Sequence, residues 1–114
     1  MLVQIAIVVF IIAAIFGLII LTAILRNKET PKPAVLIHGP LAAVGLVLLI
    51  VDVVKGHTEA LLVASLIIFI LAAVGGFTLL AFDTLKKRIP KPLAILHPLI
   101  AICALVILII YAVK

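Results

Sequence analysis

The sequence predicts an all-α integral membrane fold, a four-transmembrane-helix bundle made of two parallel-repeat helical hairpins. Three observations predict it. The 114-residue chain is 68% hydrophobic, with a mean hydropathy of +1.64, too apolar to clothe a soluble domain of this length in polar surface. Its charges collect in three short patches, separated by apolar runs long enough for a bilayer, which takes about 20 helical residues. Finally, Ile5–Lys55 aligns with Ala64–Lys114 without a gap, and eighteen of the aligned pairs are identical.

The first predicted span is Leu2–Leu25. Its apolar run is continuous rather than alternating, which argues for a helix and against a strand of a membrane barrel. It lacks a basic leading region and a small-residue cleavage site, so it reads as a retained span and not as a signal peptide. Ala13 and Gly17 form a small-x-x-x-small pair that lets a neighbouring helix approach. The loop "RNKETPKP" leads to the second span, Pro33–Val54. Pro33 falls near the first turn, where a missing N–H costs little, and Pro40 is placed to kink the helix.

"VKGHTE" then leads to the third span, Ala60–Leu85, where Ala72 and Gly76 repeat the small pair. "LKKRIPKP" leads to the fourth, Pro92–Val113, with Pro92 in its first turn and Pro98 inside it. Residues 1–56 form the first helical hairpin and 57–114 the second, within one membrane domain. Each hairpin returns the chain to its starting side, so the halves are parallel repeats about an axis along the membrane normal. The second and fourth spans then occupy equivalent places in the bundle.

Arg26, Lys28, Lys32, Lys86, Lys87, Arg88 and Lys91 lie on one side, and Lys55 and Lys114 on the other. By the positive-inside rule, both Pro-Lys-Pro loops are cytoplasmic and both termini outside, in a bacterial-type inner or plasma membrane. The net charge of +5 sits at the membrane edge, where anionic headgroups account for it, and does not imply nucleic acid.

Leu, Ile, Val and Ala matches between the halves are cheap in so apolar a chain. The costly ones are Phe10/Phe69, Gly17/Gly76, Lys28/Lys87, the Pro-Lys-Pro triplets, His38/His97 and Lys55/Lys114. The histidines carry the functional reading. Each follows the second Pro of its triplet by five residues, so both stand at one depth on parallel helices. An ionisable residue at membrane depth is a functional hypothesis by default. Two imidazoles facing across a bundle axis suit axial ligation of a haem iron. A flat ring also needs small neighbours. Ala42 and Ala101 follow the histidines by four residues, with Gly45 and Ala104 three further on. Gly17 and Gly76 lie about 13 Å from the cytoplasmic ends of their spans, near the histidine depth. Lys32 and Lys91 are placed to meet propionates.

On His38, His97, Gly17 and Gly76 the chain resembles the transmembrane b-type cytochromes. In those proteins a four-helix bundle holds haem between histidines of two helices, and glycines on the other two make room. The resemblance implies one bis-histidine haem b per chain, where many of those proteins hold two haems with four histidines. It implies an electron carrier or haem-bearing subunit that meets a redox partner protein or a quinone, and filled axial positions favour electron transfer over oxygen binding.

Two readings from other classes stand beside it. In a cofactor-free scaffold or accessory subunit the histidines hydrogen-bond neighbouring helices, each for about 0.6 kcal/mol. In a small proton or ion transporter, in a homo-oligomer, they line a path, although few polar residues accompany them. Two histidines alone make a poor zinc site. His57 reads as a solvated loop residue. Asp52 and Tyr111 are repeat equivalents, expected to hydrogen-bond each other or to meet a quinol headgroup. Asp83 and Lys86-Lys87-Arg88 mark a helix end at the interface. Cys103 is a buried small hydrophobe. No catalytic triad, phosphate loop or carboxylate pair is present, so any redox chemistry belongs to a cofactor, and the chain reads as an electron-transfer protein rather than a catalyst.

Overall fold

Four helices account for nearly all of Met1–Lys114, the residues described by the computed structural model. They are α1 (Leu2–Leu25), α2 (Lys32–Val54), α3 (Ala60–Thr84) and α4 (Lys91–Val113). Each is long and apolar enough to cross a membrane. The bounds follow the expected spans within a residue. α2 and α4 begin at Lys32 and Lys91, which puts Pro33 and Pro92 in the first turn, where no N–H is needed. Pro31 and Pro90 precede them in extended geometry, with φ near −69° and −65°. Their carbonyls accept the first helical bonds, from Val35 at 3.1 Å and Ala94 at 3.0 Å.

Both helices continue through their internal prolines, Pro40 and Pro98. Each proline removes the N–H that would bond the carbonyl four residues earlier. Three helix ends close in the same way. After α1, Lys28 N–H reaches the Ala23 carbonyl at 2.9 Å, and after α3 Lys87 N–H reaches Phe82 at 2.9 Å. Such a closure needs a left-handed residue, here Asn27 (φ 57°) and Lys86 (φ 56°). After α2 the same place holds Gly56 at φ 110°, a conformation glycine adopts without strain.

α1 packs most closely on α2, and α3 on α4. α1 also meets α4, while the α2–α3 seam is the loosest. α1 and α3 therefore lie on one diagonal, α2 and α4 on the other. The bundle extends 43 × 23 × 21 Å, a length matching a bilayer with its headgroup regions, about 40–45 Å. Only 17 of 114 residues are buried, and leucines, isoleucines and valines cover the outside. That is an inside-out surface for water and an ordinary one for lipid.

The interior is built from small residues and a few large ones. Leu49, Leu62 and Leu108 are fully buried towards the end that carries both termini. Phe10 and Phe69 stack across the α1–α3 diagonal with centroids 4.0 Å apart and planes 7° from parallel. Phe10 enters the space that a Cβ on Gly45 would occupy, at 2.8 Å. In the second half Ala104 replaces that glycine, and its carbonyl accepts a 2.8 Å bond from the buried Ser65 hydroxyl.

Candidate histidine site

Small residues bring α1 against α2 and α3 against α4 closely enough for a side chain to reach the neighbouring backbone. The Nδ1 of His38 lies 2.7 Å from the Ala13 carbonyl oxygen, and Nδ1 of His97 lies 2.8 Å from that of Ala72. Ala13 and Ala72 are repeat equivalents, so the two halves make one contact twice. A carbonyl only accepts, so Nδ1 carries the hydrogen and donates it. In the neutral ring this leaves Nε2 with the lone pair.

Glycine seats each ring. A Cβ on Gly17 would stand 3.0 Å from His38 Cε1, and one on Gly76 would stand 3.0 Å from His97 Cε1. The space these glycines open, expected to face a macrocycle, is taken up by the imidazoles themselves. The rings meet across the α2–α4 diagonal with centroids 6.3 Å apart and planes at 89°. Both histidines are half-buried. Neither Nε2 has a partner in the protein, and neither is fully enclosed.

What could such a pair hold? No third His, Cys, Asp or Glu joins it, so a bound metal would have two protein ligands. An imidazole nitrogen sits about 2.0–2.1 Å from a metal ion such as zinc, so two in line across one ion set their ring centroids roughly 6 Å apart. The observed 6.3 Å is a spacing at which His38 and His97 could hold one ion between them, and Nδ1–carbonyl bonds like theirs commonly orient metal-bound histidines. The room is less complete. Two cavities lie at the ends of the bundle, and neither histidine lines them.

The other expected site residues divide. Ala42 and Ala101 are half-buried on the histidine helices. Lys32 is engaged elsewhere, its Nζ 3.1 Å from Asp83 Oδ2 and 3.0 Å from Thr30 Oγ1. Lys91 is exposed and makes no ion pair. Asp83, expected only to mark a helix end, also accepts from the buried Thr30 hydroxyl at 2.9 Å and so ties the first hairpin to the second.

At the terminal end the expected Asp52–Tyr111 bond is replaced by two others. Asp52, nearly buried, pairs with His57 at 2.9 Å, because the closure of α2 folds His57 back over it. His57 is thus half-exposed but not simply solvated. Tyr111 instead donates to Glu59 at 2.7 Å. That hydrogen bond holds the Glu59 carboxyl below its ordinary range, with a backbone bond assisting. These groups border a cavity of about 580 Å³. Cys103, expected to be buried, is exposed on α4, where the outward face of that helix carries it.

The sequence reading did not single out the Ala13 and Ala72 carbonyls, Thr30, Glu59 or Ser65. The first two had a signal, since each stands four residues before its repeat glycine. Ser65 had a fainter one, as the polar member of an otherwise apolar repeat pair with Ala6. Thr30 and Glu59 act across hairpins, and no spacing announces that. Comparison with protein-family models, curated proteins and solved structures returns no significant match.

Proposed function

We propose that this chain is a multi-pass protein of a bacterial-type inner or plasma membrane, with both termini outside, that binds one haem b between α2 and α4 through His38 and His97. It would then serve as an electron carrier or haem-bearing subunit. One observation carries this reading. Two repeat-related imidazoles, each anchored through Nδ1 and each with an Nε2 that has no protein partner, stand with ring centroids 6.3 Å apart.

A bound haem would supply one-electron redox chemistry. The protein's part is orientation. The Ala13 and Ala72 carbonyls fix the tautomer and raise the basicity of the ligating nitrogens, while Gly17 and Gly76 allow the rings to lie where they do. The macrocycle would enter by the α2–α3 seam, the loosest contact, and Lys91 is the lysine free to meet a propionate.

A cofactor-free scaffold is the second reading, and the same Nδ1–carbonyl bonds favour it, since they tie helix to helix without any ligand. The visible spectrum of protein purified from haem-replete cells separates the two. Low-spin Soret and α bands that respond to dithionite, at one haem per chain, support the first. A protein that folds fully and takes up no added haem leaves the second.

A further inference from the structure

We infer that the cleft between α2 and α3 at the basic end binds one anionic phospholipid, with its phosphate on Lys86 and an acyl chain along Leu36 and Leu80. The inference rests on the membrane reading above and is independent of haem. The cleft measures about 400 Å³ and lies on the loosest helix seam. Its walls are apolar, and Leu36 and Leu80 are both exposed on the outside of the bundle. Two lysines stand at its lip. Such a combination of an apolar groove and a cationic rim between helices suits a lipid headgroup and chain together.

Asp83 also faces the cleft, but its charge is met there by Lys32 at 3.1 Å. Lys86 remains uncompensated. An uncompensated cation at the lip of an apolar groove favours an anionic headgroup over a zwitterionic one.

Backbone geometry supplies the second observation. Lys86 holds φ 56° to close α3, a region where Gly and Asn are at ease and other residues are strained. The first half places Asn27 at the equivalent position, at φ 57°. The second half therefore carries a less suitable residue at a demanding position, and that residue is a cation lining the cleft. Local strain of this kind marks function where the side chain has work elsewhere. The first half has no counterpart, because Ile24 and Asn27 replace Asp83 and Lys86.

The test is native mass spectrometry of detergent-purified protein titrated with phosphatidylglycerol or phosphatidylcholine of identical chains. Wild type should retain one phosphatidylglycerol per chain in preference to phosphatidylcholine. Lys86→Asn, which relieves the backbone and so keeps the fold, should weaken that binding about fivefold, the worth of one lysine at an anionic surface. Arg88→Asn, outside the cleft, should leave it unchanged. No headgroup preference, an equal fall in both variants, or inorganic phosphate competing as well as the lipid overturns the site. Flotation with phosphatidylcholine vesicles reads membrane association by itself. A chain that floats without headgroup preference loses only the lipid site, and one that does not float loses the membrane reading with it.

Discussion

The Cβ that Gly17 lacks would lie 3.0 Å from Cε1 of His38, and Gly76 stands in the same relation to His97. Helix α1 accepts glycine there, at about 1 kcal/mol against alanine, because the ring occupies the room. The two positions are therefore coupled, and a double-mutant cycle measures the coupling. Gly17→Ala should destabilise the protein by about 1–3 kcal/mol, the usual cost of overpacking. In a His38→Ala background the same change should be neutral or stabilising. Gly76→Ala and His97→Ala should behave alike, and haem-to-protein ratio should fall with either glycine variant. Equal cost in both backgrounds would mean that the ring does not set the glycine.

Phe10 and Gly45 repeat this logic once, without symmetry. A Cβ at Gly45 would meet the Phe10 ring at 2.8 Å, whereas the second half already has alanine, Ala104, at the corresponding place. Gly45→Ala should cost about 1–3 kcal/mol and disturb the Phe10–Phe69 stack. Phe10→Leu should recover much of that loss by shortening the side chain. Denaturation in mild detergent, followed by circular dichroism, reads both. If Phe10→Leu rescues nothing, the glycine serves helix approach alone.

Asp83 joins the hairpins through Thr30 and Lys32. Its side chain is 18% exposed and that of Lys32 58%, so solvent screens much of the charge. Asp83→Asn keeps an acceptor for the buried Thr30 hydroxyl and loses the charge. It should lower stability by about 1 kcal/mol in low salt and by less in high salt. Thr30→Val should cost a similar amount with no salt dependence. A salt-independent loss for Asp83→Asn would assign the effect to the hydrogen bond.

The helices were legible because bilayer-length apolar runs broken by proline and charge leave few alternatives, and each observed bound lies within a residue of the sequence reading. The histidine pairing was legible because duplication copies position, depth and face together. What each ring touches was not. That His38 bends towards Ala13 rather than along the bundle axis follows from how close α1 comes, and small-residue spacing announces closeness without direction. Asp52 and Tyr111 misled for a related reason. Equivalence in the repeat places them at one level, but the closure at Gly56 delivers His57 to Asp52 first, and the α2–α3 turn offers Glu59 to Tyr111. Both partners come from loop residues outside the aligned repeat.

Orientation has a direct check. Seven of nine basic residues lie at the end bearing the two Pro-Lys-Pro loops, so that end should face the cytoplasm. Single cysteines at Lys28 and Lys87, in a Cys103→Ala background, should resist an impermeant maleimide in intact cells and react after lysis. A cysteine at Lys55 should react in both. Labelling of Lys28 and Lys87 positions from outside would invert the bundle and leave the positive-inside rule disobeyed.

The Tyr111–Glu59 bond gives a pH dependence whose sign is fixed by chemistry. Tyr111 donates to the carboxylate, and the Glu59 pKa is lowered in the folded protein, chiefly by that bond. A carboxyl with a depressed folded pKa adds stability above its unfolded value, about 4.3 for glutamate, and loses it as pH falls through the folded value. Wild type should therefore melt above Tyr111→Phe at pH 7, and the gap should close below pH 4. Glu59→Gln should remove the dependence while keeping a weaker hydrogen bond, so its small margin over Tyr111→Phe should be about the same in acid as at neutrality. Glu59 is fully exposed, so the gap should be small, and the His57–Asp52 pair nearby must be held constant by using one background throughout. A gap that persists unchanged into acid would mean that Tyr111 stabilises this end by packing, not by its hydroxyl.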